Sequence, residues 1–176
     1  HAYHIPQHSN AFRLVHAESD GLPGLIVDQY DRTLVVQVLS SGAERWRSEI
    51  GEILAHLSGA DSIYERSDAE VRKLEGLPPR AGLLKGSEPA DRIKIVENEL
   101  QYWVDIRQGH KTGFYLDQRT NREVLTALAA GRKALDCFCY TGGFTLSMMK
   151  GGAASVMAVD ESAQALEMLK GNLLLN

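Results

Sequence analysis

The residues whose types and spacing suit chemistry lie around a Gly-Gly turn near the end of the chain. Asp136 lies near the end of one apolar run, Gly142 and Gly143 open a helical segment, and Asp160 ends the next apolar run. Glycines let the backbone approach a ligand closely, and a helix that begins there offers N–H groups and the positive end of its dipole. A carboxylate after the following strand is placed to accept ribose hydroxyls. The set predicts half of a nucleotide-type cofactor site.

The details of this motif separate it from two common nucleotide sites. Asp160 lies 18 residues after Gly142, close to the roughly 20 residues of dinucleotide folds. However, the turn reads Thr141-Gly-Gly-Phe-Thr-Leu146, so the Gly-x-Gly-x-x-Gly fingerprint is missing, and no Gly-x-x-x-x-Gly-Lys-[Ser/Thr] loop occurs. A nicotinamide oxidoreductase half-domain is therefore the weakest of the open alternatives.

The elements that must position this motif follow from hydrophobic periodicity. In the second part of the chain it predicts strands over 133–138 and 155–160 and helices over 117–130, 143–150 and 162–175. Strand, helix, strand and helix in this close order predict a parallel βαβ unit. The fold class expected is α/β: a small α+β domain followed by the first βαβα half of a Rossmann-like domain.

The first part of the chain has the α+β character. Alternating and β-branched runs predict strands over 12–17, 25–30, 33–39, 62–66, 93–96 and 100–106, and one helix is predicted over 44–57. Ser67-x-x-Glu70 has the pattern of a capping box ahead of a short helix. We expect a linker or cut end over 1–9, an accessory domain over 10–107 and a second domain over 108–176.

Composition limits the class of protein. The chain has 176 residues, 44% of them hydrophobic, and a net charge of −4, which argues against nucleic-acid binding driven by overall charge. Residues 107–133 nevertheless carry six basic and two acidic side chains, and a local basic strip can meet phosphate. No apolar run is long enough for a membrane span. Two closely spaced cysteines, Cys137 and Cys139, suit a cytoplasmic protein. We assign no metal site, and none to His1, His4 and His8 near the chain's start.

The motifs resemble a known family. The chain is similar to class I S-adenosylmethionine-dependent methyltransferases, and more narrowly to the large-subunit ribosomal RNA (cytosine-C5) methyltransferases that carry a PUA domain. Four segments carry the resemblance, at residues 10–28, 63–72, 109–119 and 136–144. It implies S-adenosyl-L-methionine as cofactor, ribosomal RNA as partner, and methyl transfer to C5 of a cytosine in 23S ribosomal RNA.

The resemblance also implies roles for single residues. Asp160 would hold the ribose hydroxyls, and Arg119 would bind the methionyl carboxylate, with a salt bridge in the first turn of its helix as the open alternative. The residues expected to bind the cofactor are Lys111, Thr112, Gly113, Phe114, Gln118, Arg119, Asp136, Phe138, Tyr140, Thr141, Gly142, Gly143 and Asp160.

The catalytic nucleophile is expected outside these motifs. Enzymes of this kind attack C6 of cytosine with a thiolate, and the family's catalytic cysteine would lie beyond Asn176. Packing is therefore expected for Cys137 and Cys139. We expect the chain to be an inactive fragment without a PUA domain, with a possible homodimer through the exposed edge of strand 133–138. A non-catalytic RNA-binding or ribosome-assembly module, and a methyltransferase with a guanine target, stay open as alternatives.

Overall fold

Two compact units make up the computed structural model, which describes residues 7–176. The first unit contains the described chain from residue 7 to Ile95 together with Val104–Phe114, and the second contains Val96–Trp103 together with Tyr115–Asn176. The predicted boundary at 107/108 stays a prediction. The predictions for His1 and His4 lie outside the described residues.

The first unit is built on a five-stranded sheet in the order β1-β2-β3-β4-β5. All neighbouring strands are antiparallel except β3 and β4, which are parallel and are joined through two helices. The elements are β1 Ala11–His16, a 3-10 helix Ala17–Asp20, β2 Leu25–Tyr30, β3 Thr33–Val38, α1 Ser41–Arg45, α2 Arg47–Ser58, β4 Ser62–Ser67, α3 Val71–Leu74 and β5 Arg80–Gly86.

The core of the first unit lies on this sheet. Val27, Leu34, Val36 and Ile63 are buried together, as alternate apolar residues of neighbouring strands should be. Residues of both parities are buried along β3 and β4, which indicates strands covered on both faces. The strands predicted over 12–17, 25–30, 33–39 and 62–66 are present within one residue at each end.

Two local predictions in this unit are wrong. The single helix expected over 44–57 is two helices, because Trp46 leaves the helical conformation between them, with φ −105° and ψ 13°. The capping box is absent, because Ser67 belongs to β4 and its Oγ accepts a hydrogen bond from the Val38 N–H at 2.8 Å. Helix α3 starts after Glu70 without a side-chain cap.

A βαβα segment forms most of the second unit. It consists of β8 Lys133–Cys137, α5 Gly143–Lys150, β9 Ser155–Val159 and α6 Ala163–Leu175. A 3-10 helix Leu116–Gln118 and α4 Arg119–Leu128 precede it. Strands β8 and β9 are parallel, as predicted. A hairpin of β6 Ile93–Glu97 and β7 Leu100–Val104 forms a separate two-stranded sheet. Its turn residues Asn98 and Glu99 both have positive φ, the requirement of a type I′ turn.

The sheet of β8 and β9 has only these two strands among the described residues. Leu135 on β8 is 61% exposed, and its register partner Met157 is 66% exposed. The homodimer expected through this strand stays a prediction. No helix in the described part of the chain is long and apolar enough to cross a membrane.

Candidate cofactor-binding site

The turn that follows β8 has an unusual backbone. Phe138, Tyr140 and Gly142 have φ values of 60°, 51° and 85°. A left-handed conformation costs an L-residue about 1–2 kcal/mol, and such residues persist where surrounding contacts hold them, often at functional sites. The side chain of Phe138 is 88% exposed. Contacts with the rest of the unit therefore hold the turn in this conformation. The large apolar side chain of Phe138 stays accessible to a ligand.

The carboxylate of Asp136 lies under this turn and is buried. Its Oδ2 accepts a 2.6 Å hydrogen bond from Oγ1 of Thr145, in the first turn of α5. Burial raises the pKa of Asp136, the hydrogen bonds from Thr145 lower it, and the nearby negative charge of Asp160 raises it. The net shift of the pKa is upward, because burial disfavours the ionised carboxylate. A cation or a hydrogen-bond donor beside Asp136 would stabilise the ionised form.

Asp160 follows β9 and is fixed through its backbone neighbours. Its Oδ2 accepts the Tyr140 N–H at 2.8 Å, and its Oδ1 accepts the Ser162 N–H at 2.9 Å. Ser162 caps α6, because its Oγ accepts the Ala165 N–H. Both carboxylate oxygens of Asp160 thus accept main-chain N–H groups, which fixes the orientation of the carboxylate beside the turn.

Gly142 is required by packing within the second unit. A Cβ there would lie 2.8 Å from the side chain of Leu169 on α6 and 3.2 Å from Leu146. Together with its positive φ, this close packing against α6 accounts for glycine at position 142. The close approach of a ligand to this backbone, expected from the sequence, stays a prediction. Gly143 begins α5, as predicted.

Thr141 is tied to the neighbouring helix through its main chain. Its carbonyl accepts a 2.9 Å hydrogen bond from Nδ2 of Asn172, whose Oδ1 accepts the Trp103 N–H at 2.7 Å. Its hydroxyl is buried and has no hydrogen-bond partner among the described residues. A buried unsatisfied hydroxyl is uncommon. With the two carboxylates and the start of α5, it fits the polar ribose and amino-acid portions of the cofactor expected here.

The two cysteines occupy different environments. Cys137 is exposed and Cys139 is buried, and neither forms a disulfide. Burial, followed by the charges of Asp136 and Asp160, raises the pKa of Cys139 to about 11. A thiol with a raised pKa is a poor nucleophile, which supports the packing role expected for Cys139. No cluster of three or more potential metal ligands occurs among the described residues.

A buried ion-pair cluster joins two arginines of α4 to Glu97 of β6, and no sequence pattern predicted it. Both carboxylate oxygens of Glu97 accept hydrogen bonds from Arg122. Nε of Arg122 donates to Oε1 at 2.7 Å, and Nη2 donates to Oε2 at 3.0 Å. Arg119 adds its Nε to Glu97 at 3.0 Å. Glu97 and Arg122 are 2% and 3% exposed. Arg119, the first residue of α4, thus forms a salt bridge, as the open alternative has it, and its partner Glu97 is a residue of β6. The contact of Arg119 with the cofactor stays a prediction.

This pairing also changes the meaning of the basic strip at 107–133. Arg119 and Arg122 share Glu97, and in the first unit Arg107 pairs with Glu88 and Asp91. Three of the six basic side chains are therefore already paired with carboxylates, although Arg119 and Arg122 share one, and this weakens the strip as a phosphate-binding surface.

The loop residues predicted near the cofactor belong to the first unit up to Phe114. Thr112 is fully buried, and its Oγ1 donates to Asp28 at 2.6 Å and lies 2.7 Å from the Tyr30 hydroxyl. Phe114 is buried and donates its N–H to Tyr30. The hydroxyl of Thr112 and the backbone N–H of Phe114 are thus used inside the unit, and the contact of these two residues with the cofactor stays a prediction.

The other two residues of this loop differ in their backbone. Lys111 is exposed with φ 56°. Gly113 has φ 138°, and a Cβ there would meet Val104 at 2.7 Å, so no other residue fits. In the second unit, Gln118 accepts a hydrogen bond from Asn121 at 2.8 Å. The structure therefore brings together Asp136, Tyr140, Thr141 and Asp160 around one turn, as the sequence predicted.

Comparison with known proteins identifies the family and the cofactor. A family model described as S-adenosylmethionine-dependent methyltransferase matches residues 69–176, more than half of the chain. The chain belongs to the S-adenosylmethionine-dependent methyltransferase family. The prediction of this family and of its cofactor is confirmed, and the nicotinamide alternative is wrong.

The names of the curated relatives of this methyltransferase chain specify the RNA that those relatives act on. It is 53% identical over 168 residues to "Ribosomal RNA large subunit methyltransferase I" of Tolumonas auensis, covering 95% of the chain and 42% of the relative. The protein of the same name from Aeromonas salmonicida is 51% identical over 165 residues, covering 94% and 42%. The chain thus spans about two fifths of the length of the curated relatives it matches.

Solved structures confirm the fold. A putative methyltransferase from Streptococcus mutans has a TM-score of 0.83 and 26% identity, covering 96% of the methyltransferase chain and 43% of the solved one. A structure titled a putative methyltransferase complexed with SAH has the same TM-score and identity, covering 96% and 42%. A tRNA m1G37 methyltransferase from M. jannaschii is 23% identical with a TM-score of 0.67, covering 85% and 42%, and shows a shared fold only.

Proposed function

We propose that the whole protein transfers a methyl group from S-adenosyl-L-methionine to C5 of a cytosine in 23S ribosomal RNA. The cofactor part is supported by the turn after β8: Asp136 lies near the end of β8, Asp160 follows the parallel strand β9, and the Tyr140 N–H links the turn to Asp160. The ribosomal substrate is supported by the names of relatives that are 53% and 51% identical. The cytosine target and a PUA domain rest on the resemblance of the sequence motifs.

Within this proposal, Asp160 holds the ribose hydroxyls and Asp136 faces the methionine portion of the cofactor. S-adenosylmethionine supplies an electrophilic methyl group when bound. The chain's own residues bind and orient it: the exposed ring of Phe138 offers an apolar surface, and Arg119, held by Glu97, offers a guanidinium for the methionyl carboxylate. Residues 10–107 form the accessory domain in this proposal, and 108–176 the start of the cofactor domain.

The nucleophile lies outside the motifs of this chain in the proposal. Cys139 has a raised pKa of about 11, which suits a packed thiol better than an attacking thiolate. We therefore expect background methyl transfer from the chain alone. Turnover by the chain alone would overturn the placement of the nucleophile without affecting the cofactor site.

The experiment that tests the proposal is methyl transfer by the whole protein. Unmodified 23S ribosomal RNA, S-adenosylmethionine and protein are combined, and the product nucleoside is identified by mass spectrometry. The proposal predicts 5-methylcytidine. A methylated guanosine would retain the methyltransferase and replace the target base, and RNA binding without cofactor affinity would favour the non-catalytic module.

We also propose the homodimer as a property of this chain. Exposed Leu135 and Met157 lie opposite each other on β8 and β9, and unpaired apolar strands favour edge association. Sedimentation of the chain should give a dimer that Leu135→Lys converts to a monomer. A wild-type monomer at high concentration would remove this proposal.

A further inference from the structure

The candidate site depends on the left-handed conformation of Tyr140, which no glycine explains. With φ 51°, its N–H reaches Asp160 Oδ2 at 2.8 Å. A bulky aromatic residue adopts this region only where neighbouring contacts over-determine it. Side-chain contacts must therefore hold the ring of Tyr140 while its backbone N–H binds Asp160.

The ring of Tyr140 meets Tyr115. Their centroids lie 5.6 Å apart with an interplanar angle of 84°, the edge-to-face arrangement that aromatic pairs prefer. Tyr115 immediately precedes the 3-10 helix Leu116–Gln118. It is part of the same unit as Tyr140 and Asp160.

Tyr115 is itself anchored by the buried ion pair. A terminal nitrogen of Arg122 donates to the Tyr115 carbonyl at 3.0 Å, and the same guanidinium is held by Glu97 through two hydrogen bonds. Glu97 and Arg122 are nearly inaccessible to solvent. Tyr115 therefore stands on a rigid base and presents its ring to a strained turn.

We propose that Tyr115 is a positioning residue for the cofactor site, which holds Tyr140 so that its N–H fixes the carboxylate of Asp160. This inference rests on the proposed function, because the carboxylate of Asp160 is placed there as the ribose acceptor. The chain of contacts runs from Glu97 through Arg122 to Tyr115, and from the two rings to Asp160. It connects the ion-pair cluster to the turn, and it gives the cluster a role that packing alone does not.

The test is calorimetry of S-adenosylhomocysteine binding to the whole protein. Tyr115→Phe keeps the ring and should bind within twofold of the wild type. Tyr115→Leu and Tyr115→Ala should weaken binding by roughly 3- to 10-fold, the range expected for loss of an aromatic pair. The Leu variant keeps most of the packed volume, so it stays informative if the Ala variant does not fold.

Two further measurements separate positioning from general destabilisation. Tyr115→Leu and Tyr140→Leu should be non-additive in binding, because each removes the same ring contact. Tyr64→Leu is the matched control: this buried aromatic of β4 lies in the first unit with the guanidinium of Arg107 over its ring, so its loss should lower the melting temperature and leave ligand affinity within twofold.

The outcomes are distinguishable. If the wild type binds S-adenosylhomocysteine and Tyr115→Leu binds equally well, the positioning role is overturned and the proposed function stands. Equal weakening by Tyr64→Leu also overturns it, because general destabilisation would then explain both. If the folded wild type does not bind the ligand, the proposed function and this inference fail together.

Discussion

Thr145 donates a 2.6 Å hydrogen bond to Asp136 and so joins the first turn of α5 to the end of β8. Both residues are buried. Hydrogen bonds to charged groups contribute roughly 1.5–3 kcal/mol, and a buried acceptor left without its donor is costly. The hydrogen bond from Thr145 stabilises the ionised carboxylate of Asp136 where the cofactor is expected to bind.

Replacing Thr145 by Val should therefore weaken S-adenosylhomocysteine binding, because the Asp136 carboxylate loses the group that orients it. The pKa of Asp136 should rise further, so the loss of affinity should be largest at mildly acidic pH. Calorimetry across pH measures both effects. Thr145→Ser is the control, because it keeps the hydroxyl; equal losses in the Val and Ser variants would contradict the role of the hydrogen bond.

The raised pKa of Asp136 predicts a particular dependence of stability on pH. When the folded-state pKa is above the unfolded one, the stabilising contribution is present below the unfolded value, which is near 3.8, and is lost as pH rises through the folded pKa. Asp136→Asn removes this titration. Its free energy of unfolding relative to the wild type should therefore rise with pH across that window and then level off.

The measurement is urea denaturation of both proteins from acidic to neutral pH. The Asn variant should gain relative stability and lose affinity for S-adenosylhomocysteine, since stability and ligand binding make opposite demands on this carboxylate. A relative stability that falls as pH rises would contradict the direction of the pKa shift.

Gly142→Ala should destabilise the chain by more than the cost of its backbone conformation alone. That cost is about 1–2 kcal/mol for an L-residue, and the new Cβ would also lie 2.8 Å from Leu169. Gly131→Ala is a matched control, because Gly131 has φ 70° with nothing within 4 Å of a Cβ. The difference between the two variants in chemical denaturation isolates the packing against α6. Equal losses would show that Leu169 moves aside.

Much of the secondary structure could be predicted from local patterns. The β-branched runs of β2 and β3 and the helical spacing of α4 and α6 are periodic signals, and the order of β8, α5, β9 and α6 implies parallel pairing. The strand that carries Asp136, the Gly-Gly turn and the strand that ends before Asp160 could be predicted because strand, glycines and carboxylates are close together in sequence.

Features made by distant residues could not be predicted. Nothing near Glu97 in the sequence indicates that Arg119 and Arg122, more than 20 residues later, bind it. Ser67 looked like a helix cap because its partner, Val38, lies on another strand. Likewise, the positive φ of Tyr140 contradicts the preference of its residue type and is imposed by contacts with Tyr115 and Asp160.

Glu97→Gln should be strongly destabilising. Removing the charge leaves the buried guanidinium of Arg122, and that of Arg119, without their carboxylate, and breaking a buried pair in this way costs about 3–5 kcal/mol. Glu167→Gln on α6 is the control, because the Glu167–Lys170 pair is exposed and such pairs contribute about 0–1 kcal/mol. Thermal and urea unfolding measure the difference. A loss no larger than that of the control would contradict the buried cluster.

Calorimetry with the whole protein measures whether Asp160 and the turn after β8 bind S-adenosylmethionine. We predict that the wild type binds S-adenosylhomocysteine and not NAD, and that Asp160→Ala loses about tenfold or more in affinity, as expected when hydrogen bonds to a charged group are removed. Unchanged affinity in a folded Asp160→Ala variant would remove Asp160 from the site, and binding of NAD in place of S-adenosylhomocysteine would contradict the account.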